Sequence, residues 1–147
     1  TRLDDLSRRV SGANAAIEYL LTESGAIKET LMRSGAPTAL RDQARSIELE
    51  LLALQEVIKG NAARDLYGDE GPVSVNARVN AAMMGIFRST YGPTPTHTKA
   101  LDIAERKFGP VETALREITE QRMPELRLQL DHAGVPWTPG RGVPKRN

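Results

Sequence analysis

The sequence predicts an all-α protein, an antiparallel up-down four-helix bundle with a kinked last helix and an extended Pro/Gly-rich C-terminal strap. Three observations indicate this class. Apolar or small residues recur at alternating steps of three and four, which is typical of helices that share a core. Short stretches of Gly and Pro separate these periodic segments. Aromatic residues make up only 4% of the 147 residues, which favours helix seams over a β-sandwich.

The first two helices are predicted from the two longest stripes. The stripe over 2–33 consists of Leu3, Leu6, Val10, Ala13, Ile17, Leu20, Ser24, Ile27 and Leu31. Gly35 and Pro37 end this helix, because Gly permits a left-handed cap and Pro cannot continue the helix. The stripe over 38–59 consists of Leu40, Ala44, Ile47, Leu51, Leu54 and Ile58, and Gly60 follows it. Since the turn between them is short, we expect these helices to pack antiparallel.

The middle of the chain predicts a connection and a shorter helix. Residues 61–72 lack a sustained period, so we interpret them as an irregular connection with a turn of helix around 62–66. Its carboxylates are Asp65, Asp69 and Glu70, which form a candidate interaction loop. The third helix is predicted over 74–90, from the stripe Val75, Val79, Ala82, Met83, Ile86 and Phe87.

The last helix is predicted over 95–133, and Gly134 closes the bundle of 1–134. Its stripe is Leu101, Ala104, Phe108, Val111, Leu115 and Ile118, with Leu126, Leu130 and Ala133 after a change of register. Arg122 falls where an apolar residue is expected, and Pro124 follows it. Because proline removes a backbone hydrogen bond, we expect a kink or a break near Arg122. Residues 135–147 contain three prolines and three basic residues, and we expect an extended strap.

Composition and motifs indicate no reaction for these residues. The net charge of +1 gives no global field for nucleic acid, and no apolar run approaches the ~18 residues that span a bilayer. The chain contains no cysteine, and His97 and His132 have no neighbours at metal-ligand spacing, so we expect neither metal nor cofactor. Because the chain starts at Thr1, inside a heptad and without Met, we expect it to be part of a longer protein.

The most specific string of the chain lies at its C-terminal end. Ala-Gly-Val-Pro-Trp-Thr-Pro-Gly-Arg occupies 133–141, after the proline of the last helix. This string resembles the extreme C-terminus of exported proteins built on BNR-repeat, sortilin-like β-propellers, many of which are labelled glycosyl hydrolases. The start of the last helix, Tyr-Gly-Pro-Thr-Pro-Thr over 91–96, resembles the same group. The chain itself contains no Ser-x-Asp-x-Gly-x-Thr-Trp repeat, the hallmark of BNR blades.

The resemblance implies a C-terminal helical module whose propeller, with any active site, lies upstream of Thr1. It also implies a location in the periplasm, on the cell surface or outside the cell. The strap residues are then Pro136, Trp137, Thr138, Pro139, Gly140 and Arg141. We expect the Trp137 ring to be buried over the open end of the bundle, with its indole N–H bonded to a carbonyl. Arg141 is expected to pair with a helix-end carbonyl or carboxylate.

Three functions are compatible with these observations. The first is a non-catalytic interaction or structural module that docks on the β-propeller of the parent chain or mediates oligomerisation. The second is an accessory part of a propeller glycosyl hydrolase, sialidase-like, whose site the loop carboxylates would complete. The third is a free-standing bundle that binds nucleic acid weakly through Lys145 and Arg146. A homodimer is also expected if the end of the long first helix protrudes and exposes its last seam residues.

Overall fold

The computed structural model describes residues 1–60, 73–88 and 95–146, without the side chains of 84–88 and 95–97. All regular secondary structure in these residues is helical and none of it is strand, so the predicted all-α class is confirmed for this part. The helices are α1 (Arg2–Arg33), α2 (Thr38–Lys59), α3 (Val75–Arg88), α4 (Pro95–Glu117) and α5 (Met123–His132), and a π-helical turn (Ile118–Arg122) joins α4 to α5. The predicted candidate loop, with Asp65, Asp69 and Glu70, lies outside the described residues.

The predicted stripes of α1 and α2 form the buried faces of these helices. All nine residues of the first stripe are buried, including Ser24, whose side chain is fully covered. In α2 the stripe is buried except at Leu54, which is half-buried. The expectation that the end of α1 protrudes and exposes its last seam residues to a second copy is wrong. Ile27 and Leu31 are only 0% and 5% exposed.

Capping groups explain where α2 ends and α3 begins. Gly60 has a φ of +79°, and its N–H donates to the Glu56 carbonyl over 2.7 Å. A residue without a Cβ adopts this left-handed conformation at little cost, which is why Gly follows the helix. Ser74 precedes α3, and its Oγ accepts a hydrogen bond from the Ala77 N–H over 3.1 Å. This bond satisfies one of the free amides of the first turn.

The π-helical turn changes the register of the last helix. Ile118 and Met123 are both fully buried, and they are five residues apart. The Met123 N–H donates to the Ile118 carbonyl, which is the i to i−5 bond of a π-helix. Arg122 therefore leaves the seam, and Met123 takes the buried position. The resumed stripe contains Leu126 and Leu130, whereas Ala133, which we expected in it, is exposed.

The chain divides into two compact units. The first unit comprises Thr1–Ala15 and Ala53–Thr113, and the second comprises Ala16–Leu52 and Ala114–Asn147. In the first unit the largest buried side chain among the described residues is Phe108. The second unit contains the π-helical turn and the C-terminal segment, 135–146.

Candidate functional site

The C-terminal segment leaves α5 through a glycine turn. Gly134 has a φ of +68°, its N–H donates to the Asp131 carbonyl, and the Val135 N–H donates to the Leu130 carbonyl over 3.0 Å. This pair of bonds is the Schellman motif, in which the residue after the glycine also packs against the helix. Val135 is accordingly buried at 6% exposure. The segment thus begins in contact with the helix that precedes it.

Arg141 is the side chain that holds the segment in place. It is only 7% exposed, and its Nε and Nη2 donate to Asp131 Oδ1 over 2.9 and 2.7 Å. The same guanidinium donates to the carbonyls of Pro136 and Val135 over 2.6 and 2.9 Å. The planar group with its fixed donors therefore joins the last turn of α5 to the start of the segment. The structure provides a carboxylate and two carbonyl acceptors, all from residues that precede Arg141 by ten positions or fewer.

The expectation that the Trp137 ring is buried is wrong. The side chain is 54% exposed. Its indole N–H does bond to carbonyls, those of Arg141 and Gly142, over 3.0 and 3.1 Å. The turn at Pro139 and Gly140 brings these carbonyls back to the indole, so the segment bonds the ring to itself. Thr138, next to the tryptophan, is the buried side chain, at 2% exposure.

Below the segment lies a buried carboxylate that the sequence analysis missed. Glu23 of α1 is 1% exposed, and its two oxygens accept from Arg127 Nε and Nη2 over 2.7 and 2.8 Å. Hydrogen bonding to Glu23 raises the pKa of Arg127 above its usual range. Gly140 lies against the same carboxylate, because a Cβ built on it would stand 1.8 Å from Glu23 Oε1. Glu23 is thus enclosed between α5 and the C-terminal segment.

The second unit contains two further charged pairs, and Arg122 of one of them lines a surface pocket. Arg122 pairs with Glu50 of α2, and Lys28 pairs with Glu48 over 2.9 Å. The pocket has a volume of about 170 Å³, and its walls consist of Gln43, Ser46, Ile47, Arg122 and Glu125. Arg122, displaced from the seam by the π-helical turn, therefore contacts α2 through a charged pair.

The first unit contains a similar set of pairs. Arg2 donates to Glu105 over 2.7 Å and to Asp102, and Arg9 donates to Glu112 over 3.1 Å. The hydrogen bond from Arg2 holds the pKa of Glu105 below its usual range. A carboxylate that is stabilised in its ionised form is a poor general acid, since that role requires a raised pKa. These acids can accept hydrogen bonds from cations, and here they do so from helix α1.

α2 also carries exposed apolar side chains on the face opposite its buried stripe. Leu49 is 53% exposed and Leu52 is 44% exposed, whereas Val57, which is 41% exposed, lies on the flank of the helix. Isolated exposed leucines are ordinary, but two neighbouring leucines on one face form an apolar patch that a partner can cover. Both leucines lie outside the predicted stripe of α2, so the apolar period that predicts the helix does not identify them.

The described residues form neither a metal-binding cluster nor a membrane-spanning helix. No three His, Asp or Glu side chains in this part of the chain come together so that they could hold a metal ion. His132 is exposed at the end of α5. None of the helices described is both long and apolar enough to span a bilayer. A scan against protein-family models, a search of curated proteins and a search of solved structures found no match to this chain.

Proposed function

We propose that this chain is a non-catalytic helical module that acts by binding another protein surface. In this proposal it folds as an antiparallel up-down four-helix bundle whose C-terminal segment, 135–147, is a strap across the bundle. The string at 133–141 supports placing it at the C-terminus of an exported BNR-repeat, sortilin-like β-propeller protein. The partner of the module is then the propeller of the parent chain.

This proposal rests on two properties of Trp137. Its side chain is exposed, and hydrogen bonds hold its ring in place. A tryptophan that is 54% exposed leaves a large apolar area in water, which costs free energy unless a partner covers it. The two hydrogen bonds of the indole N–H hold the ring in one orientation before any partner arrives. Arg141 anchors the backbone below it. Preorganised aromatic side chains of this kind dominate the energy of protein interfaces.

The distribution of charged side chains supports the same proposal. In both units, arginines and carboxylates contact each other across different helices, as Arg127 and Glu23 or Arg9 and Glu112 do. In these pairs, the charged side chains of one helix bind those of another helix in the same unit. Beside these pairs, Trp137 and the exposed leucines of α2 present apolar surface that a partner can cover.

The proposal is tested with the parent protein, whose reading frame upstream of Thr1 is expected to encode a leader and propeller repeats. The propeller and this chain are produced as separate polypeptides, and their association is measured by titration calorimetry. Trp137→Ala should weaken binding at least about tenfold. Met32→Ala, which removes a side chain that is 70% exposed on α1, is the control and should not change the affinity.

The same variants distinguish a binding role from a structural one. Since half of the ring is already in water, Trp137→Ala should lower the free energy of unfolding by only about 1 kcal/mol, the value of a hydrogen bond. A loss of 3 kcal/mol or more, in the range of ~3–5 for buried aromatic residues, with unchanged affinity would contradict the proposal. Turnover by the parent that disappears when 1–147 is deleted, while the propeller stays folded, would instead favour the glycosyl hydrolase role.

A further inference from the structure

The outer face of α2 carries a second heptad stripe. Its residues lie at alternating steps of three and four, on the side opposite the buried stripe, and we call them the outer seam: Asp42, Arg45, Leu49, Leu52, Glu56 and Lys59. The two leucines at its centre are 53% and 44% exposed. Asp42, Arg45 and Lys59 are exposed as well, and Glu56 is half-buried. Helices pair through apolar residues at this spacing, and charged neighbours set their orientation, so the two leucines form the apolar centre of the outer seam and the four charges flank it.

The order of side chains along the outer seam is self-complementary. It runs acid, base, Leu, Leu, acid, base. When a second α2 is laid antiparallel on the first about a two-fold axis between Leu49 and Leu52, Leu49 lies opposite the partner's Leu52. Arg45 then lies opposite the partner's Glu56, and Asp42 opposite the partner's Lys59. Every layer therefore brings together two apolar side chains or two opposite charges.

We propose that the outer seam of α2 is a homodimer interface, in which two copies of this chain pair through antiparallel α2 helices. This proposal rests on the binding role proposed above and names a second surface and a second partner for it. A two-fold pairing stops at two copies. Each contact occurs twice, and both copies of the surface are buried in the same interface. A parallel pairing would instead place Arg45 against the partner's Arg45 and Glu56 against the partner's Glu56.

The same charge pattern argues against an unrelated partner. The outer seam contains two acids and two bases, so its net charge is zero and neither an acidic nor a basic surface is attracted to it as a whole. A partner must present acids and bases in the reverse order at the same spacing. A second copy of α2 does so by construction.

The first test is the molecular mass in solution. Sedimentation of the full chain over ~1 to ~500 µM, the range of weak to moderate complexes, should show a shift from the 16.1 kDa monomer to twice that mass. Leu49→Glu should raise the dissociation constant at least about tenfold, because it sets a carboxylate against the partner's leucine. Leu128→Glu, at a residue of α5 that is 57% exposed, is the matched control and should leave the dimer intact.

The second test uses charge reversal. Arg45→Glu places two acids in each of the flanking layers, and Glu56→Arg places two bases there, so each variant alone should dimerise more weakly. An equimolar mixture of the two variants restores an opposite-charge pair in both layers and should form a heterodimer about as well as the original chain. The proposal would be overturned if the mixture dimerised as weakly as each variant alone while the circular dichroism stayed unchanged.

The third test is the register, and the absence of cysteine makes it direct. Chains carrying Leu49→Cys and chains carrying Leu52→Cys should form a disulfide with each other faster than either forms one with itself. Faster self-linking of the Leu49→Cys chain would indicate parallel helices and overturn the proposed pairing. A chain that stays monomeric throughout overturns this proposal alone, because Trp137-dependent binding to the propeller is measured separately.

Discussion

At the scale of single residues, the C-terminal segment depends on Gly140 and on the buried carboxylate that Gly140 faces. Gly140 has a φ of +92°, and its Cα faces the buried carboxylate of Glu23. Any other residue would meet both a strained backbone and an occupied space. The Pro-Gly-Arg part of the string therefore has a physical reason at each position, since Pro139 and Gly140 make the turn and Arg141 bonds to Asp131.

Three glycines near the C-terminus allow the free-energy cost of a strained backbone to be measured separately from the cost of a close contact. Gly140→Ala should cost about 2–4 kcal/mol, because the new methyl group must displace Glu23 in addition to straining the backbone. Gly134→Ala has a positive φ of +68° and open space around it, so it should cost only about 1 kcal/mol. Gly142→Ala, with neither feature, should be nearly neutral.

These costs are measured as free energies of unfolding in urea. Equal losses for Gly140→Ala and Gly134→Ala would show that the approach to Glu23 contributes nothing. The second measurement is the combination of Gly140→Ala with Glu23→Ala, which removes the carboxylate. If the clash is the cause, the alanine at 140 should cost less in that background than in the original chain.

The sequence predicted part of this site and missed the rest for a definable reason. Gly134, the indole bond of Trp137 and the charged partner of Arg141 follow from local rules about caps and turns, which depend on neighbours within a few residues. Glu23 could not be found in this way, because its partner Arg127 is 104 positions away. Tryptophan is usually buried, so the sequence predicts an interior ring at Trp137, whereas the structure buries its neighbour Thr138 instead.

At the scale of elements, the period of the apolar residues predicted the helices, and one extra residue limited that prediction. The stripes of α1 and α4 are buried at every position. After Ile118 the step of five to Met123 breaks the rule of threes and fours, so the pattern alone placed Arg122 in the seam. The sequence signal for the irregularity was Pro124. Its form, a π-helical turn instead of a plain kink, depends on which side chain the core accepts.

The π-helical turn accommodates both the extra residue and Pro124. Deletion of one residue from the turn distinguishes the effects of the two. Removal of Gln121, an exposed residue of the turn, shortens the step from Ile118 to Met123 to that of a regular α-helix. Pro124 then lies in an unbroken helix and meets the preceding turn, so the deletion should cost about 3 kcal/mol. Adding Pro124→Ala to the deletion should recover most of this loss.

Thermal unfolding followed by circular dichroism measures this coupling. Pro124→Ala alone is the matched control, and its effect should be small because the turn already leaves room for the ring. Additive effects of the deletion and the substitution would contradict the interpretation, since independent changes show no interaction energy.

At the scale of the whole molecule, carboxylates in both units accept hydrogen bonds from arginines, either on another helix, as at Glu105, or on the same helix, as at Asp5. This arrangement predicts how stability depends on pH. Hydrogen bonds from Arg2 and from Arg8 hold the pKa values of Glu105 and Asp5 below their usual range. A group whose pKa is lower in the folded state binds protons more readily in the unfolded state. Its contribution to stability is therefore complete above its unfolded pKa and disappears as the pH falls through its folded pKa.

We accordingly expect the free energy of unfolding to be nearly constant from pH 7 to pH 5 and to fall as the pH drops below 4.5, the ordinary value for a glutamate. Glu105→Gln should flatten this fall, because one of the protons taken up on unfolding is removed. Glu120→Gln, at an exposed glutamate of the π-helical turn, should leave the slope unchanged. Urea denaturation at half-unit steps of pH measures the slope for each variant. The same slope in the Glu105→Gln chain as in the original chain would show that the pair with Arg2 does not contribute to acid sensitivity.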